Sequence, residues 1–271
     1  MVSGSYAALS FNSGIRLAGH SFSPKVIDSG SAANYNQNIS NYQTAIQEYN
    51  HETSSAYSQK GGVLVGFKLA KKWLLQTGFN YFQNREQTNS SYVFARNPGY
   101  GYPPSSFSTD SETPTTLETV LSNNFDPATS QVSPASDYTT LYSYQFYSFP
   151  LNLRFQTGEP GIYYFAGAGG SVNFLDQTTV EIQESTIVTT VMANAKAQTE
   201  KGTQPDVYRN SLLSVQLETG VGYSFSSHWS AELALTGNRF LKPLIREEHL
   251  TGAKQQTARS FGAALNLGYT F

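Results

Sequence analysis

Catalysis needs acids, bases or nucleophiles held at fixed spacing, and residues able to serve are sparse in this sequence. The four histidines, His20, His51, His228 and His249, stand far apart, so no pair has a metal-ligand spacing. Cysteine is absent, which removes thiolate chemistry, disulfides and Cys-ligated metals together. Gly99 and Gly101 lie among Tyr and Pro with no following Lys-Ser/Thr, so they form no phosphate cradle. A rim centre would need His20, His51, His249, Asp110 and Glu247 to converge, and their spacing does not bring them together. The expectation is no catalytic, metal or cofactor residue and no enzyme. A net charge of −2 without a Lys/Arg patch argues against a nucleic-acid partner.

The charged and amide side chains that remain follow another rule: they alternate with apolar ones. Lys68 faces away from Phe67 and Leu69, Gln76 from Leu75, Arg154 from Leu153 and Phe155, Glu218 from Leu217, and Glu232 from Leu233. Arg16 is set in the same way against Ile15 and Leu17. Arg16, Lys68, Gln76, Arg154, Glu218 and Glu232 therefore predict a polar network on one face of a set of strands, because side chains of a strand alternate between two faces. Charges inside such a fold must pair.

The elements that would position these residues are eight period-two segments. They run Ala7 to Leu17, Val63 to Leu69, Trp73 to Tyr81, Tyr147 to Phe155, Tyr164 to Phe174, Leu213 to Phe225, Trp229 to Leu235 and Phe261 to Phe271. The fifth is irregular, because Tyr163 and Phe165 fall on its Gly face. About ten residues of alternation match a tilted strand crossing a bilayer. The mean hydropathy of −0.37 is no objection, since alternating strands average to mild values. Connections are long, short, long, short, long, short, long: Ala70-Lys71-Lys72, Gln156 to Gly161 and Ser226-Ser227-His228 are the short ones. That rhythm predicts a single all-β domain over residues 1–271. It is an eight-stranded antiparallel up-and-down transmembrane barrel with four long extracellular loops and three short periplasmic turns. The loops, rich in Ser, Asn, Gln and Tyr, are read as polar connections with little helix.

Face assignment follows from the alternation. Phe11, Val65, Phe79, Leu151, Val172, Leu217, Leu233 and Leu265 should point to lipid. Trp73, Phe155, Tyr223, Phe225, Trp229, Tyr269 and Phe271 gather beside the short turns and predict an aromatic girdle at the headgroup layer. Pro150 lies inside a strand and predicts a bulge or a locally unpaired site. Eight strands leave a lumen filled by side chains and no open pore.

Three stretches carry a family resemblance. Gly66 to Tyr81 is a strand–turn–strand ending Thr77-Gly-Phe-Asn-Tyr81; Tyr147-Ser-Phe-Pro-Leu-Asn-Leu-Arg154 has an aromatic-x-hydrophobic-Pro-Leu pattern; and the last strand ends in Phe271. These resemble the outer-membrane β-barrel domains of Bacteroidota, including PorT-like and small OmpA/OmpX-like barrels. The resemblance implies a bacterial outer-membrane location and recognition of the C-terminal strand by the barrel-assembly machinery. Met1 to Tyr6 shows no basic or apolar leader, so a mature form or a C-terminal domain of a longer protein is expected. The partners implied are outer-membrane lipid, the assembly machinery and a ligand at the loops. The function expected is a structural, anchoring barrel; the rivals are a surface-binding protein acting through its loops, a rim enzyme and a soluble lipocalin-like carrier.

Overall fold

The computed structural model describes residues 1–17, 29–96, 112–114, 130–159, 161–184, 200–202, 208–246 and 253–271. Eight strands form the wall: β1 Val2–Asn12, β2 Tyr57–Ala70, β3 Trp73–Arg96, β4 Ser130–Gly158, β5 Ile162–Glu184, β6 Ser211–Ser224, β7 Trp229–Phe240 and β8 Arg259–Tyr269. Each pairs antiparallel with the next. Closure is by β1 on β8, running from Val2↔Tyr269 to Asn12↔Arg259. The ring therefore has no free edge at wall level, so neither terminal strand needs water to satisfy an unpaired edge.

The wall is apolar outside. Phe79, Leu151, Val172, Leu217, Leu233 and Leu265 are all exposed, Leu217 at 65%, while Val65 is half-buried beside exposed Val63 on the same strand. Such a belt is stable only where hydrocarbon covers it. No helix among the described residues is long and apolar enough to cross a membrane, and the strands do the spanning. Trp73, Phe155, Tyr223, Phe225, Trp229, Tyr269 and Phe271 lie at the turn end of the wall. There Trp73 packs edge-on against Phe155, and Trp229 against Tyr269. Pro150 leaves a local gap in the β3–β4 ladder between the Thr77↔Leu151 and Asn80↔Ser148 pairs. Thr77 Oγ1 donates to the Pro150 carbonyl across it, at 2.9 Å.

Two expectations fail above the belt. The first connection contains a 24-residue helix, α1, Ser29–Glu52, where a polar loop with little helix was expected. Its buried side chains Tyr42, Ala45, Ile46 and Tyr49 recur at helical spacing and pack on the inner face of β4, Tyr49 edge-on to Tyr142. Polar residues between them dilute the stripe, which hides it from a scan for alternation. The second failure is Phe11, expected outward but 1% exposed in the interior. The first segment is displaced: β1 begins at Val2, and its inward face is Ser3, Ser5, Ala7, Leu9 and Phe11. The chain then turns at Gly14, whose φ of +73° suits glycine. A Cβ there would lie 2.7 Å from the Gln256 carbonyl oxygen. Strand Ile15–Leu17 next pairs with Ala253–Gln255 beyond the barrel wall.

β3, β4 and β5 reach 24, 29 and 23 residues, more than twice what crossing a bilayer needs. Their upper halves stand above the belt, and α1 closes over them. Asn38 Oδ1 accepts from Val132 N at 2.7 Å and Asn41 Nδ2 donates to Val132 O at 2.7 Å, pinning α1 to β4. Glu48 accepts from Ser91 N and Oγ at 3.0 and 2.8 Å, pinning it to β3.

Candidate functional site: the sealed lumen

The inward side chains at belt level build one charged centre near the turn end. Arg154 on β4 and Glu232 on β7 reach across the barrel in a two-pronged pair: Nη1 to Oε2 at 3.0 Å and Nη2 to Oε1 at 2.5 Å. Both residues are 2% exposed. Glu232 accepts two further bonds, from Tyr163 Oη at 2.8 Å and Asn266 Nδ2 at 3.1 Å. The guanidinium lies over the Phe165 ring, 3.5 Å from its centroid. A buried ion pair is most tolerable when the remaining lone pairs and protons are also engaged; four elements of the wall share that task here, and the Arg154 Nε–H is left without a protein acceptor.

The irregular fifth segment now has its reason. Tyr163 and Phe165 point inward because they complete this centre. The opposing strand makes room with glycine: a Cβ at Gly222 would run into the Tyr163 ring, and one at Gly220 would lie 2.7 Å from the Phe165 ring.

Above the pair the lumen is amide- and hydroxyl-lined. Gln216 Nε2 donates to Asn152 Oδ1 at 2.7 Å, and Asn173 Nδ2 to Ser214 Oγ at 2.9 Å. Gln76 Oε1, Asn80 Oδ1 and Glu218 Oε1 are buried with no protein partner. A cavity of about 50 Å³ opens among Lys60, Asn80, Asn152 and Glu218, space for roughly three to five ordered waters at ~10–15 Å³ each. Lys60 and Glu218 both face it, and the ion pairs among the described residues do not include them. Water is the group that can bridge them.

The loop end of the lumen is closed by hydrophobic packing. Phe82, Phe146 and Phe240 stack at centroid distances of 5.0–6.5 Å. Tyr144, Tyr208, Leu244 and Ile245 continue this layer, and Tyr42, Ala45, Ile46 and Tyr49 of α1 cap it. An ion pair thus plugs one end and aromatic rings the other.

Of the residues expected in the network, Gln76, Arg154, Glu218 and Glu232 are inside. Arg16 is not: it lies past the barrel wall, exposed, donating to the Asn50 carbonyl at 3.3 Å. Lys68 is not: it keeps inward parity but stands two residues from the end of β2, at the open mouth, where its ammonium reaches water. Sequence reasoning missed Lys60, because β2 begins at Tyr57, six residues before the alternation becomes visible at Val63, past Gly61 and Gly62.

At the rim, His51 is exposed and contacts Glu52 at 2.8 Å, while His228 sits in a tight turn stacked on Tyr269. His20, Asp110, Glu247 and His249 lie outside the described residues. Among the described residues no cluster of His, Asp or Glu has metal-binding geometry. Above the belt, burial raises the Glu86 carboxyl to about 7. The Ser13 N–H donates to it at 2.5 Å and only partly offsets that desolvation.

A family model described as outer membrane protein beta-barrel domain matches residues 6–237. No curated protein matches the sequence. Among solved structures the fold is similar to Neisserial surface protein A (9% identity, 98% of this chain and 95% of that one, TM-score 0.42). It is also similar to the attachment invasion locus protein Ail of Yersinia pestis, solved with the heparin analogue sucrose octasulfate (8%, 100% and 97%, TM-score 0.34). A third is the outer membrane protease OmpT of Escherichia coli (9%, 80% and 65%, TM-score 0.35).

Proposed function

The chain belongs to the outer-membrane protein β-barrel domain family, and from that premise we propose that it is a non-conducting anchor of the bacterial outer membrane. The observation that carries this reading is the lumen, plugged by Arg154–Glu232 at the turn end and by the Phe82–Phe146–Phe240 stack under α1 at the loop end. A barrel built to pass solutes would not fill both ends. In this reading the turn end is periplasmic, the seven aromatics there sit in the headgroup layer, and the folded body around α1 is extracellular. We read the chain as no enzyme on the sequence alone, from the wide spacing of its four histidines and its lack of cysteine. We place it with the PorT-like barrels of Bacteroidota on the strength of the Thr77 to Tyr81 and Tyr147 to Leu151 patterns. We take β8, with Phe271 outermost, as the strand the assembly machinery reads.

Planar-bilayer recording on the refolded barrel is the test. The reading expects no stepwise current; steady channels from the unmodified protein would overturn it. A second reading has its own support: β3, β4 and β5 carry a packed body with a hydrophobic core rather than loose loops. A rigid platform of that kind suits presentation of a binding surface. Capture of a soluble ligand by the intact barrel, lost when α1 is replaced by a Gly/Ser linker, would favour it over pure anchoring.

A further inference from the structure

We propose that the outer wall at β7 and β8 holds the phosphate monoester of an anionic membrane lipid between Arg239 and Arg259. The two arginines are direct cross-strand partners. Both side chains point outward and are exposed. Like charges directly opposite one another on a sheet face repel, and the ion pairs among the described residues involve neither. The wall thus presents two adjacent positive charges that no ion pair among the described residues neutralises. A phosphate monoester, at about −1.5 to −2 near neutral pH, matches them.

Their height fits a lipid headgroup. Arg239 stands ten residues along from Trp229 and Arg259 ten residues before Tyr269. At ~3.3 Å per residue and a tilt of ~40°, that climbs ~25 Å, the height of the apolar band of such barrels. Gln83 and Gln145 mark the same ten-residue step from Trp73 and Phe155, so this is where the outer faces of β3 and β4 also turn polar.

The local geometry fits a lipid better than a free anion. Arg239 Nε donates to Thr257 Oγ1 at 2.9 Å, which orients the guanidinium and leaves its terminal N–H groups for an oxyanion; such forks match phosphate oxygens. Directly below, Gly237 faces Phe261 across the ladder, and Ala263 faces Ala8. With exposed Leu235 opposite Ala263 and exposed Phe261 opposite Gly237, the wall here offers apolar side chains next to small ones, against which an acyl chain descending from the phosphate can lie. The inference uses the family's membrane location but not the anchoring reading, and a conducting barrel would leave it untouched.

The test uses the whole chain in nanodiscs of a zwitterionic lipid doped with a glycolipid carrying a phosphate monoester, or with its dephosphorylated form. After detergent extraction, native mass spectrometry counts the retained lipid. The expected result is roughly 10-fold more retention of the phosphorylated form, as two charge-assisted contacts provide, and no displacement by millimolar inorganic phosphate. The double variant R239Q/R259Q, still migrating as a folded barrel, loses the preference; R239K/R259K keeps part of it. Equal retention of the two lipids by the unmodified chain overturns the proposal, as does undiminished preference in R239Q/R259Q. Displacement by inorganic phosphate would make this a free-anion site and overturn the lipid assignment. Were the Gln variant not to fold, the comparison of the two lipids on the unmodified chain decides alone.

Discussion

At belt level and above it, the same strands face opposite solvents, and their polarity inverts without a change of face. On β4 the inward side chains at belt level are Ser148, Asn152 and Arg154, and the outward ones Phe149, Leu151 and Leu153. Eight residues earlier the inward side chains are Tyr142, Tyr144 and Phe146, with Ser143 and Gln145 between them. β1 makes the same crossing, from Ser3 and Ser5 to Leu9 and Phe11 on one inward face. Below, hydrocarbon covers the apolar face and the interior is stabilised by hydrogen bonds and one ion pair. Above, the outside is solvated and the interior must be a conventional hydrophobic core. Period two fixes which residues share a face, but which face is inside depends on what solvent surrounds that stretch of strand.

The largest effect expected from this contrast is at the ion pair. Glu232→Ala leaves Arg154 buried and unpaired, which costs about 3–5 kcal/mol. Urea unfolding of the refolded barrel, followed by heat-modifiable migration, should show the loss across the whole wall. The double change Arg154→Met with Glu232→Leu should recover much of it, since well-packed apolar replacements of buried pairs are often neutral. If Glu232→Ala proves harmless, the polar interior is not what holds the belt level together.

Tyr49→Ala removes a buried ring from the α1 contact and should cost about 3 kcal/mol, but only above the belt. Limited proteolysis should release α1 while the barrel still resists heat in detergent. Collapse of the whole barrel would mean the two levels fold as one unit.

Leu217→Arg places a charge on the outer wall six residues above Tyr223, near mid-depth. It should destabilise the barrel in bilayers by about 2–4 kcal/mol. The same change at Gln145, outward but above the belt, should cost almost nothing. Equal costs at the two sites would erase the boundary drawn between them.

How much of this was legible follows from the same physics. The eight strands, their antiparallel order and the closing pair of β1 and β8 were readable, because alternation and connection length report the wall directly. Arg154 and Glu232 were readable as inward charges opposite Leu153 and Leu233. Their partners Tyr163 and Phe165 broke the alternation that made the strand visible, so they registered as noise. Phe11 was misassigned because a run straddling the boundary was read with a single rule. The α1 stripe of Tyr42, Ala45, Ile46 and Tyr49 was present in the sequence, at a period that a search for strands passes over.

A smaller effect concerns pH and belongs to the upper level. Glu86 has a folded value of about 7 against an ordinary 4.5, raised by burial. A carboxyl raised by folding binds its proton more tightly in the docked state. Its stabilisation is therefore complete below about 4.5 and is lost as pH rises through about 7. Hydrogen exchange of the Ile15–Leu17 strand and α1 should speed up between about pH 4.5 and about pH 7 beyond the intrinsic base-catalysed trend. Glu86→Gln should remove that excess, and the belt-level amides should not respond. A pH response of equal size in Glu86→Gln would move the cause elsewhere.

The inversion itself is tested most directly by single cysteines, which this cysteine-free chain accepts without background. Spin labels placed one at a time on β4 at Leu153, Leu151 and Gln145, outward, and at Asn152 and Tyr144, inward, would be read for collision with oxygen and with a water-soluble nickel chelate. The account predicts oxygen access at Leu153 and Leu151, nickel access at Gln145, and neither at Asn152 or Tyr144. Nickel access at Leu151, or oxygen access at Asn152, would contradict it.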